Sequence, residues 1–245
     1  MSNIRICADK AKLAQAAADY VVDCYREALG TYGDFAIALS GGSTPRTLFQ
    51  LLADSAGAGA IDWSKVQVFW GDERTVPPDH PDSNYRMARE TLFDHVPLPA
   101  DNIHRIPAEL PPEQAAQAYE ATLRQFFESR VGGRFDLILL GMGDDGHTAS
   151  LFPHTAALDE TERLVVANDV PQLNTRRITL TYPVINRAAH VMFLVSGASK
   201  TAVLKAVLEG PSRPHDLPSQ RVQPVNGDLV WLVDQDAAAQ LEGAT

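Results

Sequence analysis

Phe135-Asp136-Leu137-Ile138-Leu139-Leu140 runs directly into Gly141-Met142-Gly143-Asp144-Asp145-Gly146-His147-Thr148. The first part is apolar on consecutive positions rather than alternate ones. That is the pattern of a strand covered on both faces, as in a parallel sheet. The glycine-spaced turn after it allows the backbone to approach a ligand closely, and it presents one imidazole at the carboxyl end of the strand. The same arrangement recurs where Phe35-Ala36-Ile37-Ala38-Leu39 leads into Ser40-Gly41-Gly42-Ser43-Thr44-Pro45. Two such turns imply one crevice that binds an anion and performs acid–base chemistry.

Outward from these turns, strand-like runs alternate with helical patterns. The first helix carries the stripe Leu13, Ala17, Tyr20, Val21, Cys24 and Ala28. Helical patterns also cover Thr47 to Leu52, Asn84 to Phe93, a stretch starting at Pro112, and Lys200 to Leu208, with a short closing helix. Strands are expected at Val66 to Trp70, Ile103 to Ile106, Leu164 to Ala167, Ile178 to Thr181, Val191 to Val195 and Leu229 to Val233. The alternation predicts an α/β fold: an open, doubly wound, mostly parallel sheet with helices on both faces. The proline-rich stretches Val76 to Pro81 and Pro211 to Pro218 read as loops, so residues 1–245 form one expected domain.

A net charge of −10 argues against a nucleic-acid or membrane surface as partner, because both are polyanions. A small anion remains compatible, since a few convergent basic side chains reverse the sign locally. Of the two cysteines, Cys24 lies on the apolar stripe as a buried thiol, and neither disulfide nor metal spacing exists. The stretch Met1-Ser2-Asn3-Ile4-Arg5 lacks the apolar core of a signal peptide, and no apolar run reaches membrane-span length. A cytoplasmic protein is expected.

Gly41, Gly42, Ser43 and Thr44 lie between a strand and a helix whose first turn contains Pro45. Glycines let successive N–H groups converge there, and the helix start adds partial positive charge. The glycine spacing matches neither a dinucleotide fingerprint nor a phosphate loop of the Gly-Lys-Ser/Thr kind. Lys200, in the first helical turn after Ser196-Gly197-Ala198-Ser199, opposes the helix dipole and so calls for an anion nearby. Either Arg176 or Arg177, just before Ile178, supplies a guanidinium to the same anion, which suits a phosphate monoester.

His147 is the candidate base, since neutral imidazole takes a proton from water at physiological pH. Asp145 or Asp144 orients it, or the spacings serve a turn. The absence of a second nearby histidine or a cysteine weighs against a metal site. Gly71-Asp72-Glu73-Arg74 ends a third strand, where its charges pair with one another, contact sugar hydroxyls or stabilise an oxyanion.

Together, Leu39 to Pro45, Gly71 to Arg74 with downstream His80-Pro81-Asp82-Ser83-Asn84-Tyr85, Gly141 to Pro153, Arg177 to Thr181 and Ser196 to Lys200 resemble the 6-phosphogluconolactonase family. The resemblance spans nearly the whole chain in the family's order. It implies a Rossmann-like α/β domain related to glucosamine-6-phosphate deaminase. It also implies hydrolysis of 6-phosphogluconolactone in the oxidative pentose phosphate pathway, without a cofactor. Carried onto this sequence, it implies catalytic roles for His147, Arg74, Asp145 and Asp72. Gly41, Gly42, Ser43, Thr44, Arg177 and Lys200 then form the phosphate site. The related deaminases normally place an acidic residue five positions after the histidine, where this chain has Phe152. A phenyl ring exchanges no protons, so the departure favours the lactonase. The alternatives are an amino-sugar phosphate deaminase or isomerase, and a non-catalytic sugar-phosphate sensor. A sensor would need an attached DNA-binding segment, for which the chain has no spare residues.

Overall fold

In the computed structural model, which describes residues 3–54 and 59–242, the apolar runs lie side by side as parallel strands. The strands are β1 (Asn3–Cys7), β2 (Phe35–Leu39), β3 (Val66–Trp70), β5 (Leu137–Leu140), β8 (His190–Val195) and β9 (Asp228–Asp234). They form a six-stranded sheet in the order β1-β9-β8-β5-β2-β3. Every residue of β2 and β5 is buried, as their unbroken apolar runs require. β1 has no counterpart among the expected strands, because Asn3 and Arg5 interrupt its apolar residues and it lies at the exposed sheet edge. Met1 and Ser2, which begin the stretch lacking a signal-peptide core, lie outside the described residues.

The helices are α1 (Lys10–Tyr32), α2 (Ser43–Ala53), α3 (Asn84–Thr91), α4 (Pro112–Ser129), α5 (Tyr182–Ile185), α6 (Thr201–Leu208) and α7 (Gln235–Ala238). α1 starts where the Asp9 side chain accepts from the Lys12 N–H, and it ends at Gly33 with φ 83°. Leu13, Ala17, Val21, Cys24 and Ala28 of its stripe are buried, as the helical spacing predicts. No described helix is long and apolar enough to cross a membrane.

Several expectations are corrected. Leu164 to Ala167 and Ile178 to Thr181 do not join the parallel sheet. They belong to β6 (Val165–Val170) and β7 (Thr175–Leu180), which form a three-stranded antiparallel sheet with β4 (Asp72–Arg74). Asp72-Glu73-Arg74 is therefore a strand in its own right rather than the end of β3, and Arg176 and Arg177 lie inside β7 rather than before it. Gly71 is the joint: its N–H donates to Leu39 O of the first sheet at 2.8 Å, and its carbonyl accepts from Leu180 of the second at 2.8 Å. Ile103 to Ile106 is not a strand either. It makes a single bridge to Val68, after which Ala108 N bonds Ile106 O and closes a tight turn around Pro107.

Edge strand β3 finds a side-chain partner for its last residue. The buried Tyr119 hydroxyl accepts from Trp70 N at 2.8 Å and donates to Trp70 O at 3.0 Å, which satisfies backbone groups that no neighbouring strand reaches. At the opposite end of the sheet, the buried Arg130 guanidinium joins Asp34 at 2.9 Å and Asp136 at 2.5 Å, while Asp136 also accepts from Ala36 N. These contacts fix the starts of β2 and β5 relative to each other. Burial pushes the Asp136 carboxyl up, against the lowering effects of the Ala36 N–H and the guanidinium. Arg130→Ala leaves that carboxylate uncompensated, so a loss of about 3–5 kcal/mol is expected in denaturant unfolding. A midpoint equal to that of the parent would show that the cluster is not fixing the strands.

Candidate active site

Chain order reverses between β2 and β5. From β2 the chain moves outward to β3, whereas β5 lies on the other side of β2 and leads on to β8. Ligands of open α/β sheets bind beyond the carboxyl ends of the strands at such a point. Both glycine turns fall there. Ser40, Gly41 and Gly42 from β2 and Gly141, Met142 and Gly143 from β5 line one cleft of about 340 Å³. Asp72, Arg74 and Arg177 enter from the second sheet, and Lys200 from the turn before α6.

The β2 turn depends on Gly41. A Cβ there would sit 1.9 Å from Asn84 Oδ1, so only glycine admits the Asn84 amide. Gly42, at φ 103°, caps α2 without a side-chain hydrogen bond, so the first-turn N–H groups keep their partial positive charge for a ligand. The hydroxyls of Ser43 and Thr44 are a different matter. Both residues stand in the first turn of α2, outside the cleft lining, which takes Ser40, Gly41 and Gly42 from this turn.

At the β5 turn, His147 Nδ1 lies 2.6 Å from Asp145 Oδ1, which also accepts from His147 N at 3.1 Å. Burial raises the Asp145 carboxyl, but the hydrogen bond and charge of His147 outweigh this and hold it below the usual carboxylate range. An ionised carboxylate only accepts, so Nδ1 carries the proton and the Nε2 lone pair is left free. Phe152 stacks on the ring at 4.0 Å between centroids and 24° between planes. Gly143 packs against the ring, where a Cβ would be 2.1 Å from Nδ1 and 2.8 Å from Asp145 Oδ1. Gly143→Ala must therefore displace the imidazole. Any chemistry that depends on the ring position should slow by about 100-fold with a nearly unchanged melting temperature, the effect of an ångström's misplacement. Full activity would mean that the imidazole position is unimportant.

Asp144 does not orient the ring; its carboxylate holds Lys200 Nζ at 2.5 Å. Arg176 turns away from the cleft to pair with Glu113 and Asp169, whereas Arg177 lines it. Arg74 and Arg177 are cross-strand partners in the β4–β7 ladder, and neither has a carboxylate partner among the described residues. Like charges directly opposite destabilise a sheet. Burial pushes the Arg177 guanidinium pKa down, and the neighbouring Arg74 charge adds to this. Two guanidinium groups with no ion-pair partner among the described residues, in a chain of net charge −10, give this side of the cleft a positive lining.

The acidic pair divides its work. The buried Asp72 lines the cleft and accepts from Ser150 Oγ at 2.7 Å, while Asn84 Nδ2 donates to its carbonyl at 2.9 Å. Glu73 does not reach the cleft. Its carboxylate accepts from Asn84 N, Tyr85 N, Arg74 N and the Ser83 hydroxyl, and so anchors the start of α3. The sequence does not single out Ser150 or Asn84, although both lie inside the motifs that carry the family resemblance. Leu173, at the cleft rim in the β6–β7 hairpin, has no sequence signal at all. Among the described residues, no group of three or more His, Cys, Asp or Glu side chains is arranged to hold a metal ion.

Fold and site together place a cleft with a basic lining at a sheet switch point, beside an imidazole held by a carboxylate. The chain matches the family model described as glucosamine-6-phosphate isomerases/6-phosphogluconolactonase over residues 8–231. It is 49% identical over 218 residues to the 6-phosphogluconolactonase of Synechocystis, covering 88% of each chain. It is 44% identical to that of Nostoc, covering 97% of this chain and 98% of the relative. The solved 6-phosphogluconolactonase of Trypanosoma cruzi superposes with a TM-score of 0.86 at 29% identity, covering 99% of this chain and 97% of the other. A monomeric glucosamine-6-phosphate deaminase superposes at 0.81 with 21% identity, a likeness of fold. The chain belongs to the glucosamine-6-phosphate isomerase/6-phosphogluconolactonase family.

Proposed function

We propose that this chain, acting as one domain, hydrolyses 6-phospho-D-glucono-1,5-lactone to 6-phosphogluconate, with His147 as general base. The observation that carries the reading is the shared cleft: an imidazole with a free Nε2 faces the same space as Arg74, Arg177 and Lys200. The phosphate docks on Arg177 and Lys200 beside the first-turn N–H groups of α2, and Arg74 adds its charge from across the ladder. Asp72, held by Ser150, accepts from a sugar hydroxyl. Nε2 takes a proton from water as the water oxygen attacks the lactone carbonyl, and N–H groups of the glycine turns stabilise the tetrahedral oxyanion. The ring C–O bond then breaks, and the imidazolium returns its proton to the departing oxygen. A δ-lactone is a reactive ester, so positioning and one base suffice.

Such a base makes the rate depend on pH. Asp145 is held below the usual carboxylate range, so it stays ionised over the acid limb. kcat/KM should fall on acidification along one limb, and a flat acid limb would remove the base assignment. The amino-sugar phosphate alternative is separated by assay. Freshly generated lactone should disappear faster than in buffer, whereas glucosamine 6-phosphate should release no ammonia; the reverse pattern overturns the lactonase reading.

A further inference from the structure

The Asp145 hydrogen bond alone does not explain a fixed imidazole. The last torsion of a histidine side chain is broad and nearly two-fold, so a contact at one nitrogen leaves the ring free to swing. Asp145 itself is a weak anchor, because its side chain is 42% exposed on the glycine turn. The rigid surface at this site is the ring of Phe152, which is 5% exposed and stacked face to face on His147. Its backbone is tied down on both sides. Leu151 N bonds Thr148 O at 2.9 Å, and the Phe152 carbonyl accepts from the Thr155 hydroxyl at 2.8 Å. Nearby Ser150 is bolted to two strands of the second sheet, through Thr179 Oγ1 and Asn168 Nδ2, and to Asp72 as well.

We infer that Phe152 is a positioning residue for His147: its stacked ring fixes the plane of the imidazole and so aims Nε2 at the water that attacks the lactone carbonyl. The inference deepens the lactonase reading and rests on it. Three contacts define the geometry. Phe152 covers a face, Asp145 holds Nδ1, and Gly143 leaves no room for the ring to move toward the turn. Nε2 is the one polar atom of the ring without a partner among the described residues, and the cleft is where it can find one. Phe152 touches no reacting atom. It acts through the imidazole, as a preorganising support for a catalytic group.

The test compares the parent with Phe152→Leu and Phe152→Tyr, measuring kcat, KM and the ring nitrogen resonances of His147 by NMR. Phe152→Leu removes the flat face but keeps an apolar side chain, so kcat should fall by about 10- to 100-fold while KM stays within about twofold. Its ring nitrogens should show mixed tautomers, where the parent shows the Nδ1-protonated form alone. Phe152→Tyr restores the stacked face and should bring back both the rate and the single tautomer. A Phe152→Leu protein with parental kcat and one tautomer overturns the proposal. So does a loss of rate that tracks only a lowered melting temperature. If the parent turns over no lactone, the functional reading fails by itself, and the resonances still decide whether Phe152 fixes the ring.

Discussion

His147→Ala is expected to lower kcat by about 10²- to 10⁴-fold, the usual contribution of a positioned general base. Affinity for 6-phosphogluconate should stay within a few-fold of the parent. The split arises from the geometry. The imidazole makes its one direct contact to the Asp145 carboxylate and a stacking contact to Phe152, so its removal leaves Arg74, Arg177 and Lys200 in place. The Asp145 carboxylate is partly solvated and tolerates losing its partner. Steady-state turnover and calorimetric titration with the product separate the two effects. Equal losses in rate and binding would make His147 a ligand-holding residue, and the water-activation step would then lack its base.

The second large effect belongs to Arg177→Ala. Truncating one partner of a desolvated charge pair costs about 2–5 kcal/mol, so KM for the phosphorylated lactone should rise at least about 30-fold. The slow hydrolysis of an unphosphorylated lactone should change little, because that substrate has no anion to place on the guanidinium. Arg176→Ala is the control. It is the adjacent residue on the same strand, but its guanidinium is committed to Glu113 and Asp169 away from the cleft. Its KM should match that of the parent. A similar loss from both variants would point to disruption of β7, not to loss of a phosphate contact.

Much of this site is legible in the sequence because glycine turns after buried strands leave a strong local signal. Phe35 to Leu39 and Leu137 to Leu140 are apolar at every position, and the glycine turn after each of them lines the cleft. His147 and Asp145 lie two residues apart, so their contact needs no long-range information. The choice between Arg176 and Arg177 is illegible for a physical reason. Adjacent strand residues point to opposite faces, and the sequence does not say which face of β7 is turned to the cleft. The second sheet escapes notice for a related reason: β4 has three residues, all charged, and gains its strand character only by pairing with β7. Ser43 and Thr44 sit in the right turn, yet both lie outside the lining, because the chain has already entered α2 there and the cleft is lined by Ser40, Gly41 and Gly42 before it.

One structure would test the central claim most directly, that of the chain with 6-phosphogluconate bound. The expected density places the phosphate on Arg177 and Lys200 beside the start of α2, with the C1 carboxylate within hydrogen-bond reach of His147 Nε2. A product bound in the opposite sense, or held in the cleft with its carboxylate far from that nitrogen, would contradict the claim.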